Sequence, residues 1–126
     1  MAKVRLKEGD IIQALKRALP EDQLVRFNPG PMSPRGISDV LITWNGRDWF
    51  CEIKVNDTKL TRLQAEFLRK RANAILMHVD TRRWVITCET NSDIKDARWL
   101  MGMAELELRD PGVIGFSIDV RPAVRF

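Results

Sequence analysis

The chain has 126 residues, of which 44% are apolar and 30% charged, with a formal charge of +4. That length carries one domain with a real core, so no disulfide framework or structural zinc is required, and the composition excludes disordered, collagen-like and repeat classes. The mild positive excess fits a nucleic-acid partner without requiring one, since many basic proteins bind nothing acidic.

No apolar run approaches the roughly eighteen residues of a membrane span, and Met1 to Lys7 lacks the apolar centre of a signal peptide. Cys51 and Cys88 are the only cysteines and have no metal-ligand spacing. The expectation is a cytoplasmic protein with no membrane partner, its thiols reduced; a single disulfide is the alternative.

In chain order, Ile11, Ile12, Leu15, Ala18 and Leu19 recur at helical spacing and predict a helix over 7–19, stopped by Pro20. A short strand is expected over 23–27. The stretch 28–36 holds three prolines and two glycines and is a loop. Strands follow over 38–44 and 47–55, separated by Asn45-Gly46, the strongest two-residue hairpin signal. Leu60, Leu63, Phe67 and Leu68 predict a helix over 60–74, with Thr58 or Thr61 as its N-cap. Short strands are expected over 75–79 and 84–87, a helix over 92–101 capped by Ser92, and a strand over 113–120. The order helix, strand, strand, strand, helix, strand predicts an α/β arrangement with a mixed sheet. One domain spans 1–126, with a core over about 7–87 and a C-terminal extension over 88–126.

A two-residue turn at Asn45-Gly46 has a geometric consequence. Trp44 then faces Arg47, and the residue numbers of every further opposed pair add to 91. Asp39 therefore faces Glu52, with Cβ atoms about 4.5–5.5 Å apart on one sheet face. Two carboxylates that close repel unless a positive group sits between them, and a divalent cation such as Mg²⁺ is the usual one. Lys54 lies two residues beyond Glu52 and so shares its face. A metal held by Asp39 and Glu52 can activate water and neutralise charge on a phosphoryl group. Lys54 can position that water or touch the phosphate, and the Ile53 carbonyl is a further possible ligand. Glu-x-Lys on a strand ordinarily marks a solvated face with a weak ion pair. Here Val40, Leu41, Ile42, Phe50, Cys51, Ile53 and Val55 surround the charges. Charges sunk in an apolar sheet need partners or a task.

Two helical residues join the candidates. Glu8 lies in line with the stripe of Ile11, Ile12 and Leu15; it is either a ligand or a favourably placed acid in a first turn. Gln64 shares a face with Leu60, Phe67 and Leu68; it either serves the site or is a capped core amide. Lys59 and Arg62, together with Arg35 in the loop before Asp39, are placed to track a phosphate backbone. His78, the only histidine, sits in an apolar strand and has no partner for nucleophilic catalysis. No phosphate-binding or dinucleotide glycine loop is present.

The series Glu8, Gly36-Ile37-Ser38-Asp39, Glu52-Ile53-Lys54 and Gln64 resembles the PD-(D/E)XK nuclease superfamily, most closely its VRR-NUC branch, the virus-type replication-repair nucleases. The resemblance runs over about 7–87. It implies a restriction-endonuclease-like αβββαβ core, a mixed sheet flanked by helices, and Mg²⁺- or Mn²⁺-dependent cleavage of DNA. It also implies that Asp39, Glu52, the Ile53 carbonyl and Glu8 bind metal, that Lys54 assists the water and that Gln64 completes the site. Small members resemble structure-specific endonucleases of Holliday-junction or flap type in phage or bacterial replication and repair, working as homodimers. Two other functions compete. One is a non-catalytic DNA-binding accessory protein on the same fold; the other is a partner-binding protein, such as a phage inhibitor, whose acids are structural. No sequence-reading module such as a zinc finger is present, which favours shape recognition of branched DNA.

Overall fold

The computed structural model describes residues 8–19, 23–26, 40–109 and 117–126. Its elements are α1 (Glu8–Ala18), β1 (Leu24–Arg26), β2 (Val40–Trp44), β3 (Arg47–Val55), α2 (Arg62–Arg69), β4 (Ala74–Asp80), β5 (Val85–Thr90), α3 (Ile94–Arg109) and β6 (Ser117–Pro122). The class is mixed α/β. Six strands lie in sequential order in one sheet. β3–β4 and β5–β6 pair in parallel and the remaining neighbours antiparallel.

The hairpin follows from its turn residues. Asn45 and Gly46 both have positive φ, 54° and 72°, as a primed two-residue turn requires. The ladder runs from Trp44↔Arg47 to Val40↔Cys51, which is the register expected from the sequence.

The two parallel pairs explain the helical layers. α2 carries the chain from β3 to β4, and α3 from β5 to β6. Crossovers between parallel strands are right-handed. The second pair runs opposite to the first, so a right-handed crossover there falls on the other sheet face. The packing agrees. α2 brings Leu68 onto Ala74 and Leu76, joined by Phe50, Leu60, Phe67 and Phe126. α1 and α3 share the larger cluster, in which Ile11, Ile12, Leu15, Ala97, Leu100 and Met101 meet Cys51, Ile53, Met77 and Cys88. Strand alternation thus sends residues 51, 53, 75 and 77 to one layer and 50, 52, 54, 76 and 78 to the other. β3 is apolar on both sides because helices cover both. Cys51 and Cys88 are buried free thiols.

Several boundaries differ from expectation. α2 is shorter than 60–74. Thr61 caps it in a reciprocal box with Gln64, and residue 74 belongs to β4, where its N–H donates to Asn91 Oδ1 at 2.9 Å. Pairing of β4 with β3 outweighs the helical periodicity there. β5 extends to Thr90 because β4 and β6 flank it on both sides. Asp93, not Ser92, caps α3, its Oδ1 accepting from Asp96 N at 3.1 Å. Ser92 instead donates to Asn73 Oδ1 at 2.6 Å. Within the stretch 88–126, α3 lies in the same layer as α1 and β6 pairs along the whole of β5.

Candidate active site

Glu52 sits mid-strand on the α2 side of β3, opposite Leu76 of β4. Phe50, Leu76 and α2 close over it, and only 1% of it is exposed. A buried carboxylate requires compensation, and among the described residues Lys54 and Gln64 contribute to it. Lys54 Nζ lies 3.2 Å from Glu52 Oε1. Gln64 Nε2 donates to the same oxygen at 2.8 Å.

Gln64 reaches Glu52 because α2 is anchored one turn further on. Phe67 packs edge-to-face on Phe50 with centroids 5.4 Å apart, and the Arg71 guanidinium lies 4.1 Å from the Phe67 centroid. The other end of the amide is also used: Gln64 Oε1 accepts from Thr61 N at 3.0 Å, while Thr61 Oγ1 accepts from Gln64 N at 3.2 Å. Gln64 is therefore both the capping amide and the clamp on Glu52. The capping-amide alternative is thus observed, and the same side chain also contacts Glu52.

The backbone of β3 adds a direction. Phe50 N donates to Asn73 O, and Asn56 N to Val79 O. Even-numbered residues of this strand thus turn their peptide groups toward β4. The N–H and C=O of Ile53 point the other way, to the side from which β2 approaches.

The other candidates divide clearly. Asp39 and Arg35 lie outside the described residues, whose ladder ends one pair short, at Val40↔Cys51. Glu8 is half-buried at the first residue of α1, and that helix covers the opposite sheet face. Arg62 stands on the outer side of α2 and pairs with Glu66 at 3.2 Å. Lys59 is exposed in the segment between β3 and α2. Among the described residues, no group of three or more His, Cys, Asp and Glu side chains is arranged to hold a metal ion.

Beyond the catalytic candidates, sequence reasoning weighed His78 only as a base without a partner, and did not single out Glu89 or Arg125. His78 is the β4 partner of Lys54 and so shares the face of the site. Its Nε2 donates to the Asn56 carbonyl at 2.6 Å. Glu89, 3% exposed on β5, faces Leu76 and so lies in the same cross-sheet row as Glu52. It is committed to the C-terminal segment. Glu89 Oε1 accepts from Val124 N at 2.8 Å and from Arg125 N at 3.0 Å, and Oε2 pairs with Arg125 Nε. Burial pushes this carboxyl up, but the two backbone N–H bonds and the Arg125 bond and charge outweigh it and hold the group below its usual range. An acid following Ile86 and Cys88 on a covered strand was the available signal.

Comparison with family models, with curated proteins and with solved structures finds no match. The functional reading rests on these residues. No helix among the described residues is long and apolar enough to cross a membrane.

Proposed function

We propose that the chain is a Mg²⁺- or Mn²⁺-dependent endonuclease on a restriction-endonuclease-like core, cutting branched or flapped DNA. One observation carries the reading. A carboxylate only 1% exposed contacts a lysine two residues on and an amide from the next helix, on a strand whose described hairpin ladder ends at Val40↔Cys51, one pair short of the Asp39–Glu52 pairing expected from the sequence. Burying an acid and an amine together destabilises a fold unless geometry compensates, so this placement fits a chemical task.

The donor set suits the ion. Mg²⁺ takes one or two carboxylates and keeps several waters for substrate phosphate to displace. Glu52 and Asp39 would hold it, with the Ile53 carbonyl on the β2 side; Glu8, on a helix that packs on the opposite sheet face, is not part of the set. The bound ion would lower the pKa of water and neutralise phosphoryl charge. Lys54 would orient the attacking water or contact a non-bridging phosphate oxygen. Gln64 is a positioning residue, fixing the rotamer of Glu52 against the helix cap.

The test is incubation with labelled linear, flapped and four-way DNA, with and without Mg²⁺ or Mn²⁺, for the wild-type protein and Lys54→Ala. Metal-dependent cutting that disappears in a folded Lys54→Ala protein supports the enzyme. DNA binding with no cutting under any condition refutes it in favour of an accessory protein.

A further inference from the structure

α2 covers the beginning of β3 and β4 but leaves their carboxyl ends open, where open α/β sheets commonly bind ligands. Two clefts lie there. One, of about 580 Å³, is lined by residues including Asn56, Lys59, His78 and Arg125. The other, of about 400 Å³, is lined by residues including His78, Thr87, Arg121 and Arg125. His78 and Arg125 belong to both, so the two clefts adjoin across these side chains and are described together as a trough.

The trough presents cations more than acids. Glu89 lines it, but its side chain is only 4% exposed behind an Arg125 side chain that is 45% exposed. Asp57 lines it as well, its side chain 90% exposed and turned to Arg82 at 2.7 Å, and is the one exposed acid among the lining residues. Lys59 is exposed, and Arg121 is half-exposed beside Asp119. Exposed pairs of this kind are weak and exchange readily for another anion. His78 donates Nε2–H to the Asn56 carbonyl and so serves as a wall of the trough rather than as an anion donor. Arg125 keeps two terminal nitrogens beyond the one spent on Glu89.

The trough also has a fixed relation to Glu52. His78 is one strand over and two residues along. By sheet spacing that is ~8 Å, about the span from one backbone phosphate to the next. An elongated basic trough suits a chain of spaced phosphates better than a compact anion.

We infer that this trough is a phosphodiester track: Lys59, Arg121 and Arg125 hold the backbone of a DNA strand as it leaves the Glu52–Lys54 centre. The inference rests on the nuclease reading. It gives the C-terminal segment a task, since the ties of Glu89 to residues 124 and 125 pin that segment along the trough.

The test is fluorescence anisotropy with a labelled four-way junction, with Ca²⁺ in place of Mg²⁺, over a series of salt concentrations. The variants are Lys59→Ala, Arg121→Ala and the pair combined, whose exposed side chains leave folding intact. Arg47→Ala, at the far end of β3, is the control. Each lost phosphate contact flattens the slope of log K against log salt by about 0.9. A slope flattened in both single variants and further in the double, with Arg47→Ala unchanged, supports the track. A wild-type protein that binds and cuts, with the double variant's slope and affinity unaltered, overturns the track and leaves the nuclease standing. A wild-type protein that neither binds nor cuts overturns both.

Discussion

Replacing Lys54 by Met keeps the length of the side chain and removes its charge. Glu52, at 1% exposure, then keeps the Gln64 hydrogen bond at 2.8 Å but loses its ammonium partner at 3.2 Å. Breaking a buried ion pair from one side destabilises by about 3–5 kcal/mol. The retained amide, and the 9% exposure of Lys54 at the open end of the strand, place this case near the lower bound, about 3 kcal/mol. For a domain of 126 residues that corresponds to a fall in Tm of roughly 10 °C. Removing both charges, as Glu52→Gln with Lys54→Met, restores most of the loss, because no uncompensated charge remains. The assay is thermal and urea unfolding followed by circular dichroism at neutral pH in EDTA. A loss below about 1 kcal/mol in Lys54→Met, the range of solvated surface pairs, refutes the reasoning. So does a double variant no more stable than the single one.

Three further outcomes follow from the same geometry. Gln64→Glu keeps an acceptor for Thr61 N but sets a second carboxylate against Glu52; urea unfolding should show it destabilised at neutral pH and largely recovered in acid, where one of the two is protonated. The lowered Glu89 carboxyl stabilises the fold above its ordinary value of about 4.3, and this contribution disappears as pH falls through the lower folded value. Glu89→Gln should therefore be less stable than wild type at neutral pH, the gap closing at the acid end of a pH series of unfolding curves. Burial first, and the charge of Asp119 second, push the Cys88 thiol up to about 12. With Cys51 also buried, Ellman's reagent should titrate neither thiol in the native protein and both in denaturant.

The hairpin and its chemistry were legible because they are local. Asn45-Gly46 sets the turn, the turn sets the register, and alternation puts Glu52 and Lys54 on one face. Gln64 was legible because helical spacing aligns it with Phe67 and Leu68. What escaped depends on pairing between distant segments. His78 joins the site face only because β4 lies parallel to β3 with residue 78 beside Lys54, a register that no turn dictates. Glu89 gains its partners from residues 35 and 36 positions further on. The helix expected over 60–74 was too long for the same reason: strand pairing captures residue 74, although its periodicity continues that of Phe67 and Leu68.

Calorimetric titration with Mn²⁺ tests most directly the proposal that Asp39 and Glu52 together hold a divalent ion. Wild-type protein should bind Mn²⁺, Asp39→Asn and Glu52→Gln should each lose that binding, and Lys54→Met should retain it. Equal Mn²⁺ binding by wild type, Asp39→Asn and Glu52→Gln, or none by wild type, would contradict the account.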